Sequence, residues 1–252
     1  MKYKLTSKKF YKGALGVISI LLLLSLTMFA RSFYRSAREE KIFYEMQEDM
    51  VQVKGKTDEN QSDLLEHYKN IKSQNSDFYG WVSIADTKLN YPVMYTPKKP
   101  EYYLRRDFNK DYSISGTPFL GEGYVPEGKN AILYGHNMAN GAMFSVLSEY
   151  KNKDYWKEHP FIQYDTLEGK GKYEIFAVFN IDVEEAKKRF PYHEYTDLRE
   201  EKRYKEFVSL VKERAFYDTG VEIRPSDELL TLSTCSYHAL DGRSVIIAKR
   251  IE

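Results

Sequence analysis

The sequence predicts a mainly β domain, carried behind a charged helical segment and an N-terminal apolar helix. Three observations lead there. Short runs rich in Val, Ile, Leu, Tyr and Phe recur from Phe78 onward, separated by Gly, Pro, Asn and Asp. Residues 13–30 carry no charge at all. Residues 31–76 are strongly charged, lack proline and repeat their apolar positions at helical spacing.

The chain begins with a basic tail, residues 1–12, holding Lys2, Lys4, Lys8, Lys9 and Lys12 and no acidic residue. Residues 13–30 follow, and as a helix they span about 27 Å, close to the hydrocarbon thickness of a bilayer. A cut after Ala30 would put Met28 where a signal peptidase wants a small residue, so an uncleaved anchor is the better reading. The lysines argue for an inside N-terminus, with the bulk of the chain outside. In residues 31–76, Ile42, Met46, Met50 and Val53 form one helical stripe, and Leu64, His67 and Ile71 a second. Gly55 and the polar stretch 56–61 separate the two. Periodicity alone leaves open whether these helices form a stalk or pack on the domain.

Residues 77–252 form the β domain. Strand-like runs lie at 81–84, 89–95, 116–120, 131–134, 173–179, 229–234 and 245–248. That is at least seven strands, enough for a barrel or a sandwich. Two helices interrupt them. The first covers 142–150, with Met143, Phe144, Leu147 and Tyr150 on one side. The second covers 197–216, with Asp197 and Glu200 spaced as a capping box and Tyr204, Val208, Val211 and Ala215 on one face. Gly220 follows as a stop signal. This second helix is placed to pack on the β domain, and also to wall a groove beside the strand that follows it.

The net charge of +1 gives no electrostatic case for nucleic acid as a partner, and no glycine-rich phosphate loop is present. His67, His159 and His193 have no cysteine, carboxylate or second histidine at metal-ligand spacing, so no metal site is expected, and no other cofactor is called for. Cys235 is the only cysteine, which excludes an internal disulfide. A lone cysteine is ordinarily a small hydrophobe. Cys235, however, closes the run 229–234, and Arg243 opens the next run just past the Asp241-Gly242 turn signal. This sets a thiol and a guanidinium on facing strand ends. His136 ends a strand too, beside Gly135. His238 and Asp241, in the loop between Cys235 and Arg243, are given no catalytic role.

Tyr134-Gly135-His136-Asn137 and Thr231-Leu232-Ser233-Thr234-Cys235 with the following Arg243 resemble the sortases, class B in detail. The resemblance continues through Gly80–Ile84, Thr87–Val93, Tyr103-Leu104 and Gly116–Phe119, and covers roughly residues 62–252. It implies a closed β-barrel of seven to eight strands, N-terminal helices and a long helix inserted before the cysteine strand. It also implies a membrane-anchored cysteine transpeptidase of Gram-positive bacteria: single-pass, N-terminus cytoplasmic, catalytic domain extracellular. Cys235 would be the nucleophile, His136 the general acid/base and Arg243 the third member. Leu104, Tyr134 and Ser233 match positions lining the sorting-signal groove, and the neighbourhood of Thr234, counted with them as substrate-binding, would help form the oxyanion site. The implied partners are surface proteins bearing a C-terminal sorting signal and an amine of a peptidoglycan precursor or cross-bridge. Pilin polymerisation, a non-catalytic binding module and plain hydrolysis of the thioester are the competing readings. One departure stands out. Class B relatives often have asparagine four residues before the leucine of the Tyr-Leu pair, where this chain has Pro100, lacking both an amide side chain and a backbone donor.

Overall fold

A computed structural model describes the backbone of residues 2–56, 61–236 and 242–252. The chain divides into two compact units, Met1–Tyr44 and Glu45–Glu252. The first consists, over its described residues, of the leading part of helix α1 (Lys2–Lys56). It contains Phe10–Arg31, a stretch with mean hydropathy 2.3 that is long and apolar enough to cross a membrane. The predicted tail, anchor and first charged helix are thus one continuous helix. Nothing between Ala30 and Gly55 removes a backbone donor or forces a turn, and α1 runs on through Gly55 to Lys56. Most of the polar break predicted at 56–61 lies outside the described residues. The helix predicted beyond it is α2, Gln61–Gln74.

The second unit is built on a closed barrel of eight strands. They are β1 (Phe78–Ser83), β2 (Asn90–Met94), β3 (Phe119–Leu120), β4 (Asn130–Tyr134), β5 (Phe161–Thr166), β6 (Lys172–Asp182), β7 (Leu229–Ser236) and β8 (Gly242–Arg250). The order around the barrel is β1-β2-β3-β4-β7-β8-β6-β5, closed by the antiparallel pairing of β5 with β1. Two pairings are parallel, β2–β3 and β4–β7. The barrel is the fold the family resemblance implied. Its extra strand is β5, a run not foreseen beside Pro160, in which Ile162, Tyr164 and Asp165 are all buried.

One wall of the barrel is covered on both faces. Ile246 and Ala248 of β8 join Val82, Leu133, Ile175 and Leu232 in the interior cluster. Val245 and Ile247 join Phe179, Phe190, Phe207 and Val211 in a second, outer cluster. A strand buried on both faces reads as an unbroken apolar run, which is why Val245–Ala248 shows no alternation. The outer cluster is roofed by α4 (Val183–Arg189) and α5 (Glu201–Arg214), between β6 and β7. α3 is a short helix, Lys153–Glu158.

Two helix predictions need correcting. The segment predicted at 142–150 is a 3₁₀ turn, Ser145–Lys151, though Met143, Phe144, Leu147 and Tyr150 are all buried as its pattern implied. The capping box does not form. The Asp197 carboxylate is taken by the backbone N–H and guanidinium of Arg199, and α5 starts only at Glu201. Its buried face is Tyr204, Phe207 and Val211.

The helix α2 docks on the barrel through a polar bond inside an apolar contact. Leu64, Tyr68 and Ile71 are buried, and the Tyr68 hydroxyl donates to Asp165 Oδ2 at 2.8 Å. Asp165, itself 1% exposed, also accepts from Gln163 Nε2 and the Gly171 N–H. Removing one donor from a buried carboxylate costs about 1–3 kcal/mol. Tyr68→Phe is therefore expected to lower the unfolding free energy by that amount, read as a lower urea midpoint at an unchanged denaturant slope. An unchanged midpoint would show that the bond contributes nothing net.

Candidate active site

The parallel pairing of β4 with β7 aligns Asn130 with Leu229 and Tyr134 with Ser233, so both strands end at the same rim of the barrel. The antiparallel partner of β7 is β8, and its register sets Cys235 opposite Arg243. The chain ends that carry Tyr134-Gly135-His136, Ser233-Thr234-Cys235 and Arg243 are thus neighbours on one rim. The Cys235 side chain and residues 237–241, with His238 and Asp241, lie outside the described residues.

A cleft of about 360 Å³ opens at that rim. Leu104, Tyr134, His136, Ser233, Thr234 and Arg243 all line it. Each described side chain singled out from the sequence is therefore in one place. Gly135 is what lets β4 reach the rim. A Cβ there would come within 2.6 Å of the Phe144 ring, and the Gly135 N–H instead donates to the Ser233 carbonyl at 3.2 Å. Phe144 in turn donates its N–H to the His136 carbonyl at 2.9 Å. The histidine backbone is held on both sides.

His136 is half-buried, with Nε2 2.9 Å from the Leu104 carbonyl. A carbonyl oxygen only accepts, so Nε2 carries the proton and the neutral ring keeps its free lone pair on Nδ1. Burial pushes the imidazole below its ordinary value; the Leu104 carbonyl opposes this, and the Arg105 and Arg243 cations add to it. Burial likewise raises the Tyr134 phenol, whose ring stacks on Phe119 with centroids 5.8 Å apart. The Ser233 hydroxyl is fully buried and bonded to the Tyr192 phenol at 2.9 Å. Thr234 Oγ1 is buried with no hydrogen-bond partner among the described residues.

The opposite wall of the cleft was not foreseen. It comes from Val183, Ala186 and Lys187 of α4 and from Tyr192 and His193 of the 3₁₀ turn Tyr192–Glu194. The helix expected to serve there, α5, contributes no residue, because its apolar face is spent on the outer core cluster. The signal for α4 was legible. Asp182 caps it, its carboxylate accepting from the Glu184 N–H at 2.8 Å, and Lys187, Lys188 and Arg189 suit its C-terminal end. Glu101, Phe119, Gly121, Glu122 and Gly135 complete the lining. Among the described residues no group of three or more His, Cys, Asp or Glu side chains is placed to hold a metal ion.

The Sortase domain family model matches residues 82–251. Sortase B of Staphylococcus aureus (strain NCTC 8325 / PS 47) is 27% identical over 250 residues, covering 96% of this chain and 98% of its own. Sortase B of Listeria monocytogenes serovar 1/2a is 31% identical over 193 residues, covering 75% of this chain and 76% of its own. Among solved structures, a Staphylococcus aureus sortase B–substrate complex matches with TM-score 0.76 at 26% identity, over 86% of this chain and 98% of that one. Sortase B from Listeria monocytogenes matches with TM-score 0.62 at 32% identity, over 72% of this chain and 98% of that one. The chain belongs to the sortase family, the cysteine transpeptidases, and its relatives place it in class B.

The lowered His136 has a consequence for stability. The unfolded ring binds its proton near about pH 6.5, the folded ring only at lower pH. The contribution of the neutral ring is therefore complete above the unfolded value and is lost as pH falls through the folded one. His136→Gln removes that loss. Urea midpoints of wild type and His136→Gln, taken at neutral pH and at pH 5, are expected to shift in favour of the glutamine variant on acidification. A constant difference would mean that the folded ring titrates at its ordinary value.

Proposed function

We propose that this chain cleaves a C-terminal cell-wall sorting signal after threonine, holds the released protein as a thioester on Cys235, and transfers it to an amine of peptidoglycan. The amine belongs to a precursor or cross-bridge. The observation that carries the proposal is the gathering of His136, Arg243, Leu104, Tyr134, Ser233 and Thr234 around one cleft, with Cys235 opposite Arg243 in the β7–β8 register. A relative solved as a substrate complex, sharing the fold over 86% of this chain, supports it further.

The roles follow from the chemistry of each group. An ordinary cysteine, with a pKa near about 8.5, is mostly protonated at neutral pH and needs cationic company to react as a thiolate. The Cys235 thiolate attacks the threonine carbonyl carbon, and its oxygen becomes an oxyanion. Arg243 cannot give up its proton at physiological pH, so it serves as a fixed cation for that oxyanion or for the substrate backbone. The C–N bond then breaks, and protonated His136 gives its Nδ1 proton to the leaving amine. In the second half the acceptor amine attacks the thioester, neutral His136 takes the proton released, and the thiolate leaves. Leu104 and Tyr134 line the path of the signal. Pro100, three residues before Tyr103, removes a donor there, so the preferred signal differs from that of relatives with asparagine at this place.

The apolar stretch Phe10–Arg31 supports a single-pass anchor with the lysine-rich tail inside and the catalytic barrel outside. Residues 31–76 then serve as the N-terminal helices between anchor and barrel, and 77–252 as the catalytic domain.

The full chain in detergent, offered a panel of internally quenched sorting-signal peptides with and without glycine peptides as acceptor, tests this. Cleavage is expected to vanish in Cys235→Ala and to fall about 10²–10⁴-fold in His136→Ala, with amine-ligated product seen by mass. Product that accepts only lysine side chains would point to pilin polymerisation. Water as the sole acceptor would mean a protease. A folded chain that cleaves nothing and whose Cys235 resists a thiol probe would be a binding module.

A further inference from the structure

The Leu104 carbonyl that bonds His136 belongs to the 3₁₀ turn Tyr102–Arg105, and the rest of that turn is clamped elsewhere. The carbonyls on either side of it are taken by the loop that follows. Tyr103 O accepts from the Thr117 N–H at 3.0 Å, Arg105 O from the Ser113 N–H at 3.0 Å, and Arg106 O from the Thr117 hydroxyl at 2.9 Å. Leu104 O is the carbonyl left over, and it points to His136.

Two residues outside the cleft determine where that carbonyl lies. Tyr103 is fully buried, and its hydroxyl donates to Asp77 Oδ2 at 2.9 Å while accepting from Asn75 Nδ2 at 2.7 Å. Asp77 is held in turn by Lys110 at 2.9 Å. On the other side stands Gly116, at φ +61°, where a Cβ would come within 2.6 Å of Leu104 O and 2.7 Å of Tyr103 O. Both contacts are to backbone, which cannot swing aside as a side chain would. Neither residue lines the cleft.

We propose that Tyr103 and Gly116 are positioning residues for His136, holding the Leu104 carbonyl where it locks the imidazole proton on Nε2 and leaves Nδ1 as the proton-transferring nitrogen. The proposal rests on His136 as the general acid/base. Its consequence has a definite sign. Among the described residues the Leu104 carbonyl is the interaction that favours the protonated ring, against burial and the cations of Arg105 and Arg243. The other ionisable groups of the cleft, Glu101, Glu122, Lys187 and His193, and the Tyr134 phenol, are unchanged in the variants below. Displacing the carbonyl lowers the His136 midpoint. At pH values above that midpoint, a lower midpoint means a smaller imidazolium fraction.

The test uses the full chain in detergent with ¹⁵N-labelled histidine, the His136 signals being identified by their loss in His136→Gln. In wild type the neutral ring is expected as the Nε2–H tautomer. Gly116→Ala and the milder Tyr103→Phe are expected to give a mixture of tautomers and a lower midpoint. They should also lower kcat/KM about tenfold at neutral pH with little change in KM. Folded Tyr103→Phe protein with wild-type tautomer and midpoint would overturn the proposal, whatever Gly116→Ala does to folding. Full activity in His136→Gln would instead remove the catalytic reading, while the tautomer measurement would still decide the positioning role.

Discussion

The parallel pairing of β4 with β7 is the constraint on which the rest depends. These strands lie about a hundred residues apart in sequence, and only a parallel register lets both run toward the same rim. Antiparallel strands would put the end of β4 and the end of β7 at opposite ends of the barrel, and His136 could not reach the residues around Cys235. The pairing is reinforced within the barrel wall, where the Thr231 hydroxyl donates to Asn130 Oδ1 at 2.9 Å and Asn130 Nδ2 donates to the Tyr195 carbonyl at 2.8 Å. Two buried polar side chains satisfy each other there, and a slip of one residue would orphan both.

A parallel pair needs a long crossover, and the chain uses it twice over. The residues between β6 and β7 carry α4 and α5, which together cover the outer face of the β6–β8–β7 wall. That cover makes the wall apolar on both sides and hence rigid. It also supplies the far side of the cleft through α4 and the Tyr192–Glu194 turn. The Tyr192 phenol bonded to Ser233 ties this crossover to β7 two residues before Cys235. The cover on the outside of the barrel wall and one side of the cleft come from the same insertion.

Most of this was legible where side-chain pattern and backbone agree. The strands β1, β2, β4, β6, β7 and β8 announce themselves by apolar runs between turn residues. The site residues announce themselves by falling at strand ends beside glycine. What failed did so for physical reasons. β5 follows Pro160 and carries Asp165, a residue type strands disfavour, whose carboxylate is buried on the Tyr68 hydroxyl instead of facing water. Asp197 has an arginine two residues on that competes for its carboxylate, which no spacing rule for capping boxes takes into account. α5 packs on the barrel as its apolar face predicts, but its place before the cysteine strand does not make it a wall of the cleft, because Tyr204, Phe207 and Val211 go where apolar area is buried. The Leu104 carbonyl could not be found at all, since a backbone acceptor has no letter in the sequence.

That last point bears on how the site is built. Neither arginine beside His136 stabilises its protonated form, and burial opposes it as well. Among the described residues, the proposed acid is therefore held in a place hostile to its charge, and the group that favours it is a main-chain oxygen. A carboxylate in that position would bind the imidazolium far more strongly, and would add a negative charge beside a thiol that must ionise. A carbonyl dipole orients the ring and fixes its tautomer without that charge. Its strength then depends wholly on placement, since a neutral hydrogen bond weakens steeply with angle. The cost of using an uncharged partner is a demand for rigidity, met here by a buried phenol on one side of the turn and a residue with no side chain on the other.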